Sequence, residues 1–264
     1  MFKLSSLCIA SVILLQLPAA HAQTAAPAAG DFARQIDAAI APYFKADAPG
    51  ASVIVVKDGK TVFRKGYGMA DVAKGIPMDA GAQNRLGSVT KQFTSTAILM
   101  LTEEGTPSVD EDITKYLPDY PTNGKKITIE HLLTHTSGIV SYTSKRTFRA
   151  SIEQPLTVNG MIDTFKNDPL TFEPGADYAY NNSGYFLLGA IIEKVSGMPY
   201  AQFVEKRIFM PLGMLDTAYE GHERGKAPRA AGHTTTPAGY APSAQISMTL
   251  PYPAGSIVST VADM

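Results

Sequence analysis

Thiol chemistry is the first thing this sequence lacks. Its only cysteine is Cys8, inside a leader-like N-terminus, so the remaining chain has no thiol nucleophile, disulfide framework or Cys-ligated metal. An excess of charge of either sign is missing as well: 23 Lys plus Arg stand against 24 Asp plus Glu in 264 residues. That balance leaves no electrostatic footprint for nucleic acid and no polybasic patch for anionic lipid. The apolar stretch from Leu4 to Leu17 has only 14 residues, too few to span a bilayer, so no integral membrane span is expected in the mature chain. Tryptophan is absent too, which decides nothing. What is present is apolar: 45% of residues are hydrophobic and 18% charged, which excludes an intrinsically disordered chain. The length suits one large domain, or one domain with an inserted subdomain.

Lys3, the apolar stretch and the small-x-small run Ala20-His21-Ala22 before Gln23 together read as a cleavable signal peptide over residues 1–22. The expectation is a bacterial protein that is periplasmic or secreted. Residues 23–30 are rich in Ala and Pro and read as a flexible lead-in, leaving 31–264 for the domain. Asp31 is placed to cap a helix with Phe32, Ile36, Ala39, Ile40 and Tyr43 on one face. Two β-type runs, 51–56 and 61–64, flank Lys57-Asp58-Gly59-Lys60, a strong hairpin signal. Ser88 to Glu104 reads as a mostly buried helix closed by Gly105. Thr128 and Thr157 are candidate N-caps, and a long helix follows Asn182 and ends at Gly197. This order suits an antiparallel sheet with helices plus a helical portion. A lone hairpin is marginal by itself, so its partners must come from elsewhere.

Two short patterns carry chemistry. Ser88 is the only serine with a lysine three residues on, Lys91, a spacing that puts both on one helix face, within reach of each other. A helix start favours negative charge developing on the serine oxygen and disfavours the charged lysine, as a base needs. Ser-x-x-Lys is also expected by chance about once in a chain of this length. Its position heading an apolar helix is what singles it out, because a buried lysine needs a partner or a purpose. Tyr180 is the only one of 12 tyrosines with Asn two residues later, at Asn182. Near cations a tyrosine can act as general base, and an Asn amide can bind a substrate carbonyl. The plainer alternative makes Asn182 a helix N-cap and Tyr180 a half-buried aromatic. His131 and His135 are spaced i, i+4, but Leu132 replaces the Glu of a metalloprotease motif and no third ligand is evident nearby. No serine has Gly at both −2 and +2, so the α/β-hydrolase elbow is absent. Gly66-Tyr-Gly68 lacks a phosphate-loop continuation, and Met161, Ile162 and Phe165 read as core.

Together, Ser-x-x-Lys and Tyr-x-Asn resemble the serine hydrolases related to class C β-lactamases and D-alanyl-D-alanine carboxypeptidases. The segments 50–59, 65–68, 131–138, 180–193 and 253–260 are similar to runs of that family as well. The resemblance implies an α+β fold, an antiparallel sheet flanked by helices with a helical subdomain. It also implies Ser88 as acylated nucleophile, Lys91 taking or relaying its proton, Tyr180 as general base and leaving-group acid, and Asn182 orienting substrate. The implied partner is a small-molecule or peptide substrate: a β-lactam, a D-Ala-terminated peptide or a simple ester. No cofactor or metal is implied, and the oligomeric state is left open. The family's third motif, Lys-Thr-Gly or His-x-Gly on a later strand, is not found before Met264. The expectation is therefore a domain incomplete at its C-terminus, lacking the last strands of the sheet. The competing expectation is a catalytically impaired relative that binds cell-wall peptide or another protein.

Overall fold

The structure, a computed structural model, describes residues 29–149 and 152–264. The expected leader, 1–22, lies outside the described residues, as does the lead-in up to residue 28. The first helix, α1, runs Ala29–Ile40. It begins before Asp31, which therefore sits in the first turn, beside the positive end of the helix, and pairs with Arg34 instead of capping. Tyr43 falls past the end of α1 in a Pro-containing 3-10 turn and is 85% exposed, so it leaves the expected apolar face.

Two antiparallel strands follow, β1 (Ala51–Lys57) and β2 (Lys60–Tyr67). Asp58 and Gly59, at φ of 51° and 71°, are both left-handed, as a two-residue hairpin turn requires to match strand twist. Asp37 of α1 fastens the helix to β2, accepting from Lys65 Nζ at 2.8 Å and from the Tyr67 hydroxyl at 2.7 Å. No third strand joins this hairpin among the described residues. The other strands are short: β3 (Met69–Asp71) pairs with β4 (Ile76–Pro77), and β5 (Asn84–Arg85) leads to a 3-10 turn at Gly87–Val89.

The helical portion follows, between Thr90 and Val204. It comprises α2 (Thr90–Glu103), α3 (Ile129–Leu133), α4 (Arg146–Arg149), α5 (Val158–Asp163), α6 (Asn182–Ser196) and α7 (Tyr200–Val204). The expected caps are in place: Thr128 Oγ1 accepts from the His131 amide at 3.1 Å, and Thr157 Oγ1 from the Gly160 amide at 3.0 Å. Gly197, at φ 68°, ends α6 in the left-handed conformation that glycine adopts without a steric penalty. After α7 come β6 (Ala218–Tyr219), the hairpin β7 (His233–Thr236) and β8 (Gly239–Pro242), and β9 (Ile257–Ser259). β9 lies between β5 and β6 in a three-stranded antiparallel sheet. Helices and antiparallel strands thus coexist as expected.

The core is centred on α6, which is buried continuously from Ser183 to Ile192 and packs against α2, α3 and α7. A 3-10 turn at Tyr252–Ala254 inserts against the same helix at Gly189. A Cβ at position 189 would lie 2.4 Å from Pro253 Cγ and 2.7 Å from Tyr252 Cε1, so the close approach depends on the missing side chain. Alanine there improves helix propensity by about 1 kcal/mol, but overpacking costs roughly 1–3 kcal/mol. Gly189→Ala is therefore expected to lower the urea midpoint of unfolding. A midpoint at or above wild type would show that the turn yields freely.

Candidate functional site

The sheet strand β5 delivers the chain to the head of α2, and this fixes where the two chemistry-bearing residues of the first pattern lie. Ser88 is exposed on the 3-10 turn, while Lys91, in the first turn of α2, is buried. The Lys91 amine has as polar neighbours the oxygens of Asn182, Ala254 and Ser88, with the Tyr180 phenol close by. It donates to Asn182 Oδ1 at 2.7 Å, to the Ala254 carbonyl at 3.0 Å and to Ser88 Oγ at 3.4 Å. Two aromatic faces complete the cage, with Nζ 4.8 Å from the Tyr180 ring centre and 5.3 Å from that of Tyr185. Burial holds the Lys91 pKa below the ordinary lysine value, and the nearby Tyr180 phenol opposes that shift in part. The position at a helix start acts in the same direction as burial.

The second pattern lies at the head of α6. The N-cap is Asn181, whose Oδ1 accepts from the Gly184 amide at 2.7 Å. The alternative that spent Asn182 on capping is thereby removed. Asn182 instead turns its amide to the site: Oδ1 meets Lys91, and Nδ2 donates to Thr143 Oγ1 at 3.0 Å. Its backbone N–H donates to Ser141 Oγ at 3.1 Å, while Ser183 Oγ accepts from the Tyr142 amide at 2.9 Å. Segment 139–143 is thus stitched to the start of α6, beside the opening where Tyr180 is 47% exposed. All four residues picked from the sequence meet around the Lys91 amine. The contributors not foreseen include Ser141, Thr143 and Ala254. A backbone carbonyl carries no sequence signature, and the two hydroxyls stand in a loop without spacing of their own.

A family model described as Beta-lactamase matches residues 32–264. The chain belongs to the beta-lactamase family. Penicillin-binding protein 4* of Bacillus subtilis (strain 168) is 35% identical over 170 residues, covering 63% of this chain and 37% of the relative. Protein flp of Staphylococcus aureus (strain MRSA252) is 33% identical over 193 residues, 72% of this chain and 38% of that protein. This beta-lactamase-family chain therefore spans little more than a third of the length of these curated relatives. Among solved structures, D-amino acid amidase from Ochrobactrum anthropi SV3, complexed with L-phenylalanine amide, superposes with a TM-score of 0.73 at 29% identity, over 87% of this chain and 68% of that one. The octameric penicillin-binding protein homologue from Pyrococcus abyssi gives a TM-score of 0.72 at 32% identity, over 89% and 53% respectively. The fold is that of this family, an α+β domain with a helical portion.

The two spaced histidines of this beta-lactamase-family chain have separate structural duties. His131 Nδ1 accepts from the Thr128 amide at 3.2 Å, closing the capping box of α3. His135 Nδ1 accepts from the Asn181 amide at 3.0 Å, and its ring lies 4.6 Å from that of Tyr180. No cluster of metal-ligating side chains occurs among the described residues. His135 sits at φ 62°, a left-handed position tolerated by His and Asn better than by most residues. Burial first, and then the Lys91 charge, hold its pKa below the ordinary 6.5. A proton on Nδ1 would also remove the acceptor that Asn181 uses.

As pH falls below 6.5, the unfolded chain takes up a proton at His135 before the folded one does. Stability is then lost until the lower folded value is passed. His135→Asn keeps an acceptor, tolerates the left-handed backbone and does not titrate. Its urea stability should lack that component of the acid-side decline. A decline identical in the two proteins would refute the assignment.

Proposed function

We propose that this protein is a serine hydrolase that forms an acyl-enzyme on Ser88 from an amide or ester and releases the acyl group to water. The observation that carries the reading is the set of partners around Lys91. Asn182 Oδ1 and the Ala254 carbonyl can only accept, so they take two of its N–H bonds. Ser88 Oγ is a third partner, at 3.4 Å. Burial favours the neutral amine, whose lone pair can accept a proton from Ser88 Oγ. Ser88 then gives its proton to Lys91 as Oγ bonds to the carbonyl carbon of the substrate.

The roles of the other residues follow from their placement. Tyr180, exposed above the amine, donates its phenolic proton to the leaving nitrogen or oxygen as the scissile bond breaks, and the Lys91 ammonium returns one to it. Water next attacks the acyl-enzyme, and its proton is passed through the same two groups back to Ser88 Oγ as the acid departs. The free N–H of the Asn182 amide orients the substrate carbonyl side. The substrate class is a β-lactam, a D-Ala-terminated peptide or a simple ester, and the likeness to D-amino acid amidase adds D-amino acid amides. Residues 1–22 would be removed on export, placing the enzyme in the periplasm or outside the cell.

The test is intact-protein mass spectrometry after exposure to a fluorophosphonate and to benzylpenicillin, followed by assay on p-nitrophenyl acetate and D-phenylalanine amide. One adduct, absent in Ser88→Ala, is expected with at least one probe. Lys91→Met and Tyr180→Phe should each lower turnover by on the order of 100- to 10,000-fold. In wild type, kcat/KM should rise with pH as Lys91 deprotonates, with a midpoint below 10.5. A folded protein that neither probe modifies would sink the reading and leave a binding relative of the family.

A further inference from the structure

Thr90 and Thr94 lie one turn apart on α2, on either side of Lys91 in sequence, and both are fully buried. Thr90 Oγ1 accepts from the Ile257 amide at 3.1 Å. Thr94 Oγ1 lies 2.6 Å from the Pro253 carbonyl and 2.8 Å from the Tyr200 hydroxyl. A carbonyl only accepts, so the single Thr94 proton goes to Pro253, and Tyr200 must be the donor to Thr94. Burial pushes the Tyr200 phenol well above its ordinary value, which keeps that proton in place. The hydrogen bonds therefore run one way, from Tyr200 through Thr94 to Pro253. The next carbonyl along the chain is that of Ala254, the acceptor of Lys91.

The same turn is gripped from its other side. Tyr252 adopts φ 40°, rare for so bulky a residue, with its ring packed 4.8 Å from Phe186 and 5.5 Å from Tyr200. The notch at Gly189 admits Pro253. The turn is thus bonded to α2 on one face and wedged into α6 on the other. Its Ala254 carbonyl is aimed by contacts that do not themselves reach Ser88.

We propose that Thr94 is a positioning residue for the Lys91 amine: through Pro253 it fixes the Ala254 carbonyl, which in turn holds Nζ beneath Ser88. The proposal deepens the acyl-transfer reading and rests on it for its kinetic consequence. Its structural content stands on a separate readout.

The experiment compares wild type with Thr94→Val, which removes the hydroxyl at nearly constant shape, and Thr94→Ser, which retains it. Two quantities are read: turnover of p-nitrophenyl acetate across pH, and reductive methylation of individual lysines by formaldehyde and borohydride, located by mass spectrometry. In Thr94→Val, kcat should fall about 10- to 100-fold, the scale of a small misplacement, with KM little changed and the ascending pH limb displaced. Lys91 should be methylated several-fold faster, while Lys145, anchored by Asp168, is methylated at its wild-type rate. Thr94→Ser should restore both quantities. Tyr200→Phe, which removes only the far donor, should shift both in the same sense by less.

Wild-type methylation of Lys91 in a folded Thr94→Val overturns the proposal. Should that variant fail to fold, with Lys145 methylated faster as well, wild-type behaviour of Tyr200→Phe overturns it instead. Accelerated methylation of Lys91 in Thr94→Val, with a wild type that neither the fluorophosphonate nor benzylpenicillin modifies, supports the positioning role and refutes the acyl-transfer reading.

Discussion

A lysine side chain taken out of water and surrounded by neutral oxygens is the constraint around which this molecule is organised. An ammonium in such a place is costly unless its N–H bonds are met, and the cost falls when the group gives up its proton. Three distant parts of the chain meet that requirement together. The turn before α2 brings Ser88, the head of α6 brings Asn182 and Tyr180, and the 252–254 turn brings the Ala254 carbonyl. The long buried face of α6, the capping of its first turn by Asn181 and the absence of a side chain at Gly189 all serve to hold these parts in register.

Much of this was legible because spacing is a geometric statement. Ser88 and Lys91 three residues apart on a helix, and Tyr180 and Asn182 at the start of another, are pairs whose proximity follows from the backbone alone. The hairpin at Asp58-Gly59 and the caps at Thr128 and Thr157 were readable for the same local reason. Asn181 and Asn182 show where local reasoning runs out. Asparagine can cap from either position, and only the path of the preceding extended segment decides which of the two faces the Gly184 amide.

The rest was hidden for identifiable physical reasons. Strands β5, β6 and β9 have two, two and three residues, too few for an alternating pattern, and their pairing is decided by tertiary contact. The Ala254 carbonyl would be a carbonyl whatever residue stood there. The part played by His135 depends on an Asn181 amide 46 positions away. The apolar period of α1 continues in the sequence as far as Tyr43 although the helix stops at Ile40, and the first turn opens before Asp31, because helix ends are set by contacts that a periodic pattern does not carry.

The hydrogen bonds of Lys91 span sequence separations of 91 and 163 residues. The altered acidity of this amine is therefore a property of the assembled molecule and not of the residue. The 252–254 turn supplies one of the acceptors and part of the cover, so loosening that turn from α2 and α6 lets water reach Nζ and returns the amine toward an ordinary lysine, however intact the two helices remain.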